Sequence, residues 1–224
     1  SIHQESKINF FKKNNVILFG QNSRIPEFEE KFDIEIIPNL YPIDTSLFKC
    51  LNLDKSFDVS MTGALHDSSL YAKTAYLPSQ LNIRQRIVEK LSTIDCKKFV
   101  NCSDINNKAY INDINDYIKK INESKIWICT NADHGDITAR VSEVLSCKTL
   151  AFINEHPSNT LNDILINEKT CVFFKNDLSD LEEKIKFYIN NNKERELIAE
   201  AGHNTYTSRF NSNKFVDRVI QYAK

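Results

Sequence analysis

Five short stretches, residues 57–62, 98–102, 126–130, 149–153 and 171–174, read as runs of hydrophobic β-formers, and the last three are near-continuous. A strand with one wet face alternates, whereas a strand covered on both faces reads as an unbroken apolar run, the pattern of a parallel sheet between layers of helices. Helical spacing fills the gaps, at 83–91, 111–121, 137–145 and 178–189. Strands alternating with helices are joined by right-handed crossovers, which predicts a Rossmann-like open α/β sheet of about six parallel strands with helices on both faces. Two shorter runs, 16–19 and 34–37, precede it, and Pro38 with Pro42 marks the best domain boundary. The tail is helical without further strands. Asn191 or Asn192 can cap one helix, Gly202 suits the left-handed position at its end, and Phe215, Val219 and Tyr222 mark a last amphipathic helix.

Composition narrows the function. The four glycines, Gly20, Gly63, Gly135 and Gly202, are too far apart to assemble a Walker or dinucleotide-type phosphate loop. With 29 Lys and Arg against 30 Asp and Glu, the net charge is -1. There is no basic field to hold a phosphate backbone, so nucleic acid is not an expected partner. The six cysteines have neither the spacing of a zinc site nor that of a disulfide scaffold. No apolar run approaches the roughly 18 to 20 residues of a membrane span, and the first residues lack the layout of a signal peptide. A cytoplasmic protein without a transmembrane segment is expected.

In open α/β sheets ligands bind beyond the carboxyl ends of the strands. The rim to inspect is therefore Gly63 to His66, Ser103 and Asp104, Asn131 to Asp136, and Asn154 to His156. Its most informative part runs through 131–145. Ile137, Val141, Val144 and Leu145 form a buried stripe at helical spacing, and Asp136, Arg140 and Glu143 follow the same spacing on a second face. One reading is a helix cap at Asp136 with a solvated ladder of Asp, Arg and Glu. The other is a helix N-terminus that offers its free N–H groups to a diphosphate, with Gly135 allowing close approach, Asp136 accepting from sugar hydroxyls, Glu143 holding a ribose diol, and Arg140 neutralising phosphate or pairing with the two acids.

The segments 124–129, 140–148, 161–176 and 193–202, in that order and spacing, resemble the C-terminal domain of GT-B glycosyltransferases, in particular the family 1/4-like group related to spore-maturation glycosyltransferases. Residues 57–64 are similar to the first strand and loop of that donor domain, 81–84 to the arginine-bearing start of the next helix, and 38–48 to the interdomain linker. The resemblance implies a nucleotide-sugar donor site: Thr62, Gly63 and Arg84 near the diphosphate, His134, Gly135 and Asp136 near sugar and phosphate, Arg140 and Glu143 near phosphate and ribose. Asp136 and Arg140 would carry the catalytic roles. Two departures stand out. The first acid of the retaining members' pair falls on Gly135, one place before Asp136, and the glycine usual after the helix is Lys148.

The implied division is 1–45 as the end of an acceptor-side domain with its linker, and 46–224 as the donor-binding domain. The implied function is sugar transfer from a nucleoside diphosphate sugar to an unknown acceptor (glycan, lipid or protein), without metal or other cofactor; the alternative is a non-catalytic GT-B-like module that binds a nucleotide sugar or a partner chain. An acceptor-activating base would sit across the cleft, on an N-terminal domain or a partner chain. His3 is the only histidine before the linker, and His66 and His134 lie on the donor rim. No base is therefore expected within these 224 residues.

Overall fold

The structure is a computed structural model that describes residues 2–22, 25–65, 83–103, 111, 113–131, 136–156, 161 and 163–222. In chain order the elements are α1 (Ile2–Lys13), β1 (Leu18–Gly20), α2 (Ile25–Phe32), β2 (Ile36–Pro38), β3 (Phe57–Ala64), α3 (Ile83–Thr93), β4 (Lys98–Ser103), α4 (Ile114–Asn122), β5 (Ser124–Cys129), α5 (Ala139–Ser146), β6 (Leu150–Asn154), β7 (Val172–Phe174), α6 (Leu181–Asn190), α7 (Asn192–Arg209) and α8 (Ser212–Tyr222).

The apolar runs from 57 onward become one parallel sheet of order β4-β3-β5-β6-β7. It has five strands among the described residues rather than about six, and β1 and β2 form a separate parallel two-stranded sheet. Strand periodicity sorts the side chains onto two faces. Trp127 and Cys129 of β5, with Ala151 and Ile153 of β6, pack under α4 and α5 against Tyr206 and Phe210. Ile126 and Ile128, with Leu150 and Phe152, pack on the other face against Ile83, Ile87 and Leu91 of α3 and Leu181 and Ile185 of α6. Both faces of β5 and β6 are covered, as their unbroken apolar runs require. None of the described helices is long and apolar enough to cross a membrane.

Two local expectations are corrected. Gly202 does not end a helix. It lies buried inside α7, where an added Cβ would run into the Thr170 carbonyl oxygen and sit 2.8 Å from Leu145 Cδ2. The glycine is there for close packing, and Tyr206 and Phe210 beyond it carry the buried face of the chain onward. Nor does Asp136 cap a helix. The α5 N-cap is Thr138, because 136 and 137 are held extended by the N-terminal segment: Asn22 and Asp136 form an antiparallel bridge, and Ile137 N donates to Gln21 O at 3.1 Å.

The last helix returns to that N-terminal segment. Arg218 donates to Asn39 Oδ1 (2.6 Å) and to the Pro38 carbonyl (3.3 Å), and Phe19 meets Phe215 and Tyr222 edge-on. The Tyr206 hydroxyl fastens the connecting stretch, donating to Tyr41 O and accepting from Ile43 N, both at 2.7 Å.

Candidate active site at the end of the central strand

The strand order reverses between β3 and β5: the chain leaves β3 for β4 on one side and returns to β5 on the other. At such a switch point the flanking loops diverge and leave a crevice beyond the carboxyl ends of the strands. Here the crevice lies beyond Gly63 and Ala64 of β3 and Thr130 and Asn131 after β5.

Arg84, in the first turn of α3, spans this point. Its Nε donates to Thr130 Oγ1 at 2.7 Å and its Nη1 to Ala64 O at 3.0 Å, tying the ends of β3 and β5 together. Arg140 approaches from α5. A Cβ built on Gly63 would lie 3.3 Å from Arg140 Nη1 and 3.7 Å from Arg84 Nη1. Gly63 has φ 144°, a conformation that side chains rarely adopt, so glycine here serves both the backbone and the two guanidiniums that close over it. Arg140 makes a single hydrogen bond, from Nε to the Tyr117 hydroxyl at 3.3 Å, and its Nη1 and Nη2 have no acceptor among the described residues.

Tyr117 in turn donates to Glu143 Oε2 at 2.6 Å. Burial pushes its phenol well above the usual range, against the pull of Arg140, so the hydroxyl remains a donor. The Cys102 thiol, opposite Gly63 on β4, is likewise pushed up by burial although Arg140 and Arg84 pull it down. Thr62 is buried, and its hydroxyl has no hydrogen-bond partner among the described residues. The Thr138 hydroxyl, which at an N-cap ordinarily satisfies the first-turn N–H groups, donates instead to Thr130 O at 3.2 Å. The N-terminal N–H groups of α5 thus lack a side-chain cap from Thr138 or any other described residue.

The structure therefore brings Gly63, Arg84 and Arg140 together and links Glu143 to them through Tyr117. Asp136 is turned to Asn22, whose side-chain amide donates to its carboxylate, and so it joins neither arginine in a ladder. His134, Gly135 and His66 lie outside the described residues. Sequence reasoning missed Tyr117 and Cys102. Tyr117 on an amphipathic helix reads as a core aromatic, and only the spatial approach of α4 to α5 gives it a polar role.

Residues 80–221 match the model of a family described as glycosyl transferase-like. No curated protein sequence matches the chain. Among solved structures it is similar to the C-terminal domain of LpcC, a group 1 family glycosyl transferase from Francisella tularensis, at 14% identity and TM-score 0.52 over 76% of this chain and 99% of that one. It is also similar to Anabaena HepE, solved with UDP and glucose, at 10% identity and TM-score 0.60 over 92% of this chain and 62% of that one. A sucrose-phosphate synthase from Thermosynechococcus elongatus matches at 12% identity and TM-score 0.64, over 93% and 57% respectively. The chain thus spans less than two thirds of the latter two proteins. With most of its length inside the family match and its parallel sheet shared with these structures, the chain belongs to the glycosyl transferase-like family and has the α/β fold of a GT-B glycosyltransferase domain.

Proposed function

We propose that the chain binds a nucleoside diphosphate sugar at the end of β3 and that the protein moves the sugar to an acceptor hydroxyl. The observation that carries this reading is Arg140: a half-buried guanidinium whose two amino groups have no acceptor among the described residues, beside a side-chain-free backbone at Gly63 and next to a second arginine. A cation placed so is complementary to an anion. Departure of a nucleoside diphosphate builds negative charge, and oriented guanidiniums and helix N–H groups stabilise that charge without a metal. In this reading Thr62, Gly63, Arg84 and Arg140 serve the diphosphate, Glu143 accepts from the ribose diol, and His134, Gly135 and Asp136 border the sugar, with Asp136 and Arg140 in the catalytic roles. HepE, solved with UDP and glucose, supports a nucleotide-sugar ligand.

The boundary falls between 45 and 46. Residues 1–45, with β1 and β2 in their own small sheet and α2 between them in sequence, belong to an acceptor-side domain, and 46–224 form the donor domain. The acceptor-activating base lies outside this chain, which acts in the cytoplasm.

Calorimetry with UDP, GDP and their sugars tests the reading. Binding of one of them, lost in Arg140→Met while the fold is retained, is the expected result. Absence of binding to every member of the panel would reduce the chain to a non-catalytic module of the same fold. The chain alone is expected to transfer sugar slowly or not at all. Robust transfer abolished by His66→Ala or His134→Ala would place the base within it.

A further inference from the structure

Arg140 and Glu143 are three residues apart on α5, a spacing at which helical neighbours of opposite charge ordinarily pair. No ion pair joins them among the described residues. The Tyr117 hydroxyl stands between them instead, accepting from Arg140 Nε at 3.3 Å and donating to Glu143 Oε2 at 2.6 Å. Packing fixes its position. The ring stands edge-on to Trp127 at 5.8 Å and to Phe48 at 6.3 Å, and Trp127 is fully buried. A neutral oxygen held in that place satisfies one atom of each charged group and leaves the others, Arg140 Nη1 and Nη2 and Glu143 Oε1, without a partner among the described residues.

We propose that Tyr117 is a positioning residue that keeps Arg140 and Glu143 from pairing, so that one takes the diphosphate and the other the vicinal diol of the same nucleoside diphosphate. The proposal rests on the donor-site reading above and adds what keeps its two charged groups available. Phenylalanine in place of Tyr117 retains the ring packing and removes the spacer. Arg140 and Glu143 then neutralise each other, and both ligand contacts weaken together.

The test is calorimetry with inorganic pyrophosphate and with UDP, on the wild-type chain, Tyr117→Phe, and Tyr117→Phe combined with Glu143→Gln. Tyr117→Phe is expected to weaken pyrophosphate binding about tenfold, on the scale of one charge-assisted hydrogen bond. Adding Glu143→Gln frees Arg140 and brings pyrophosphate affinity back to within about threefold of wild type, while UDP stays weak because the diol acceptor is gone. A residue that merely packs would show no such rescue. Wild-type affinity in Tyr117→Phe, or a loss that Glu143→Gln leaves uncorrected, overturns the proposal and leaves the donor-site reading standing. Failure of the wild-type chain to bind UDP, GDP or pyrophosphate overturns both. Should Tyr117→Phe fail to fold, the Arg140 Nε–H signal in nitrogen-15 spectra, assigned by its loss in Arg140→Lys, takes its place. It is expected to hold its position in Glu143→Gln, and a displacement as large as pyrophosphate causes would reveal a direct Arg140–Glu143 contact and overturn the proposal.

Discussion

The carbonyl oxygen of Thr170 sits against the α-carbon of Gly202 so closely that the two meet only because glycine has no Cβ. Thr170 is itself fixed, its hydroxyl donating to Ile164 O at 2.7 Å and accepting from Ile166 N at 2.8 Å, so the loop cannot retreat without breaking those bonds. Gly202→Ala should therefore destabilise the domain by about 1–3 kcal/mol, the usual cost of overpacking a tight contact. Urea denaturation reads it. An unchanged midpoint would mean that α7 can shift to make room.

Tyr206→Phe removes one oxygen from the buried end of α7. That oxygen satisfies a backbone carbonyl at Tyr41 and a backbone N–H at Ile43, and phenylalanine leaves both without it. The expected loss is about 1–3 kcal/mol, the penalty for polar groups stripped of partners. Thermal unfolding followed by circular dichroism would show it as a lower melting temperature.

Acid should weaken the fold partly through Asp58. Burial raises its carboxyl, but the hydrogen bond from Lys125 Nζ at 2.7 Å, the Lys97 N–H at 2.9 Å and the lysine charges outweigh that and hold it below the usual carboxylate range. A depressed folded value means that the contribution is fully present above the unfolded value near about 4 and is lost as pH falls through the folded one. Asp58→Asn should flatten the stability profile below about pH 4. A profile identical to wild type would remove Asp58 from the account.

If the proposed donor site is correct, Glu143→Ala separates its two halves. UDP affinity should fall by about 1–3 kcal/mol, as expected for hydrogen bonds to a charged acceptor, while pyrophosphate affinity does not fall. Unchanged UDP binding would return Glu143 to a structural partner of Tyr117.

The inner strands of the main sheet were legible because burial on both faces leaves a local mark. The run 126–130 became Ser124–Cys129, and 149–153 became Leu150–Asn154. The start of α5 was not legible, because the residues that hold 136 and 137 extended are Gln21 and Asn22, far away in the chain. Gly202 was misread for a similar reason. A glycine near the end of a helical pattern looks like a stop, and only the approach of the Thr170 loop shows that it is a contact. At the candidate site, the spacing of Arg140 and Glu143 drew attention to α5, yet suggested that they would pair. Tyr117, on another helix, decides otherwise.

The position of β3, paired with β4 on one side and β5 on the other, also has a kinetic meaning. Gly63 belongs to β3, Arg84 to the crossover that follows it, and Thr130 and Arg140 to segments that arrive only after β4 and α4 have been laid down. Parallel pairings of this kind close long loops and form slowly. The cradle at Gly63 therefore does not exist before β3 and β5 have paired, and under the proposed function a nucleotide added during refolding would be captured no faster than that pairing.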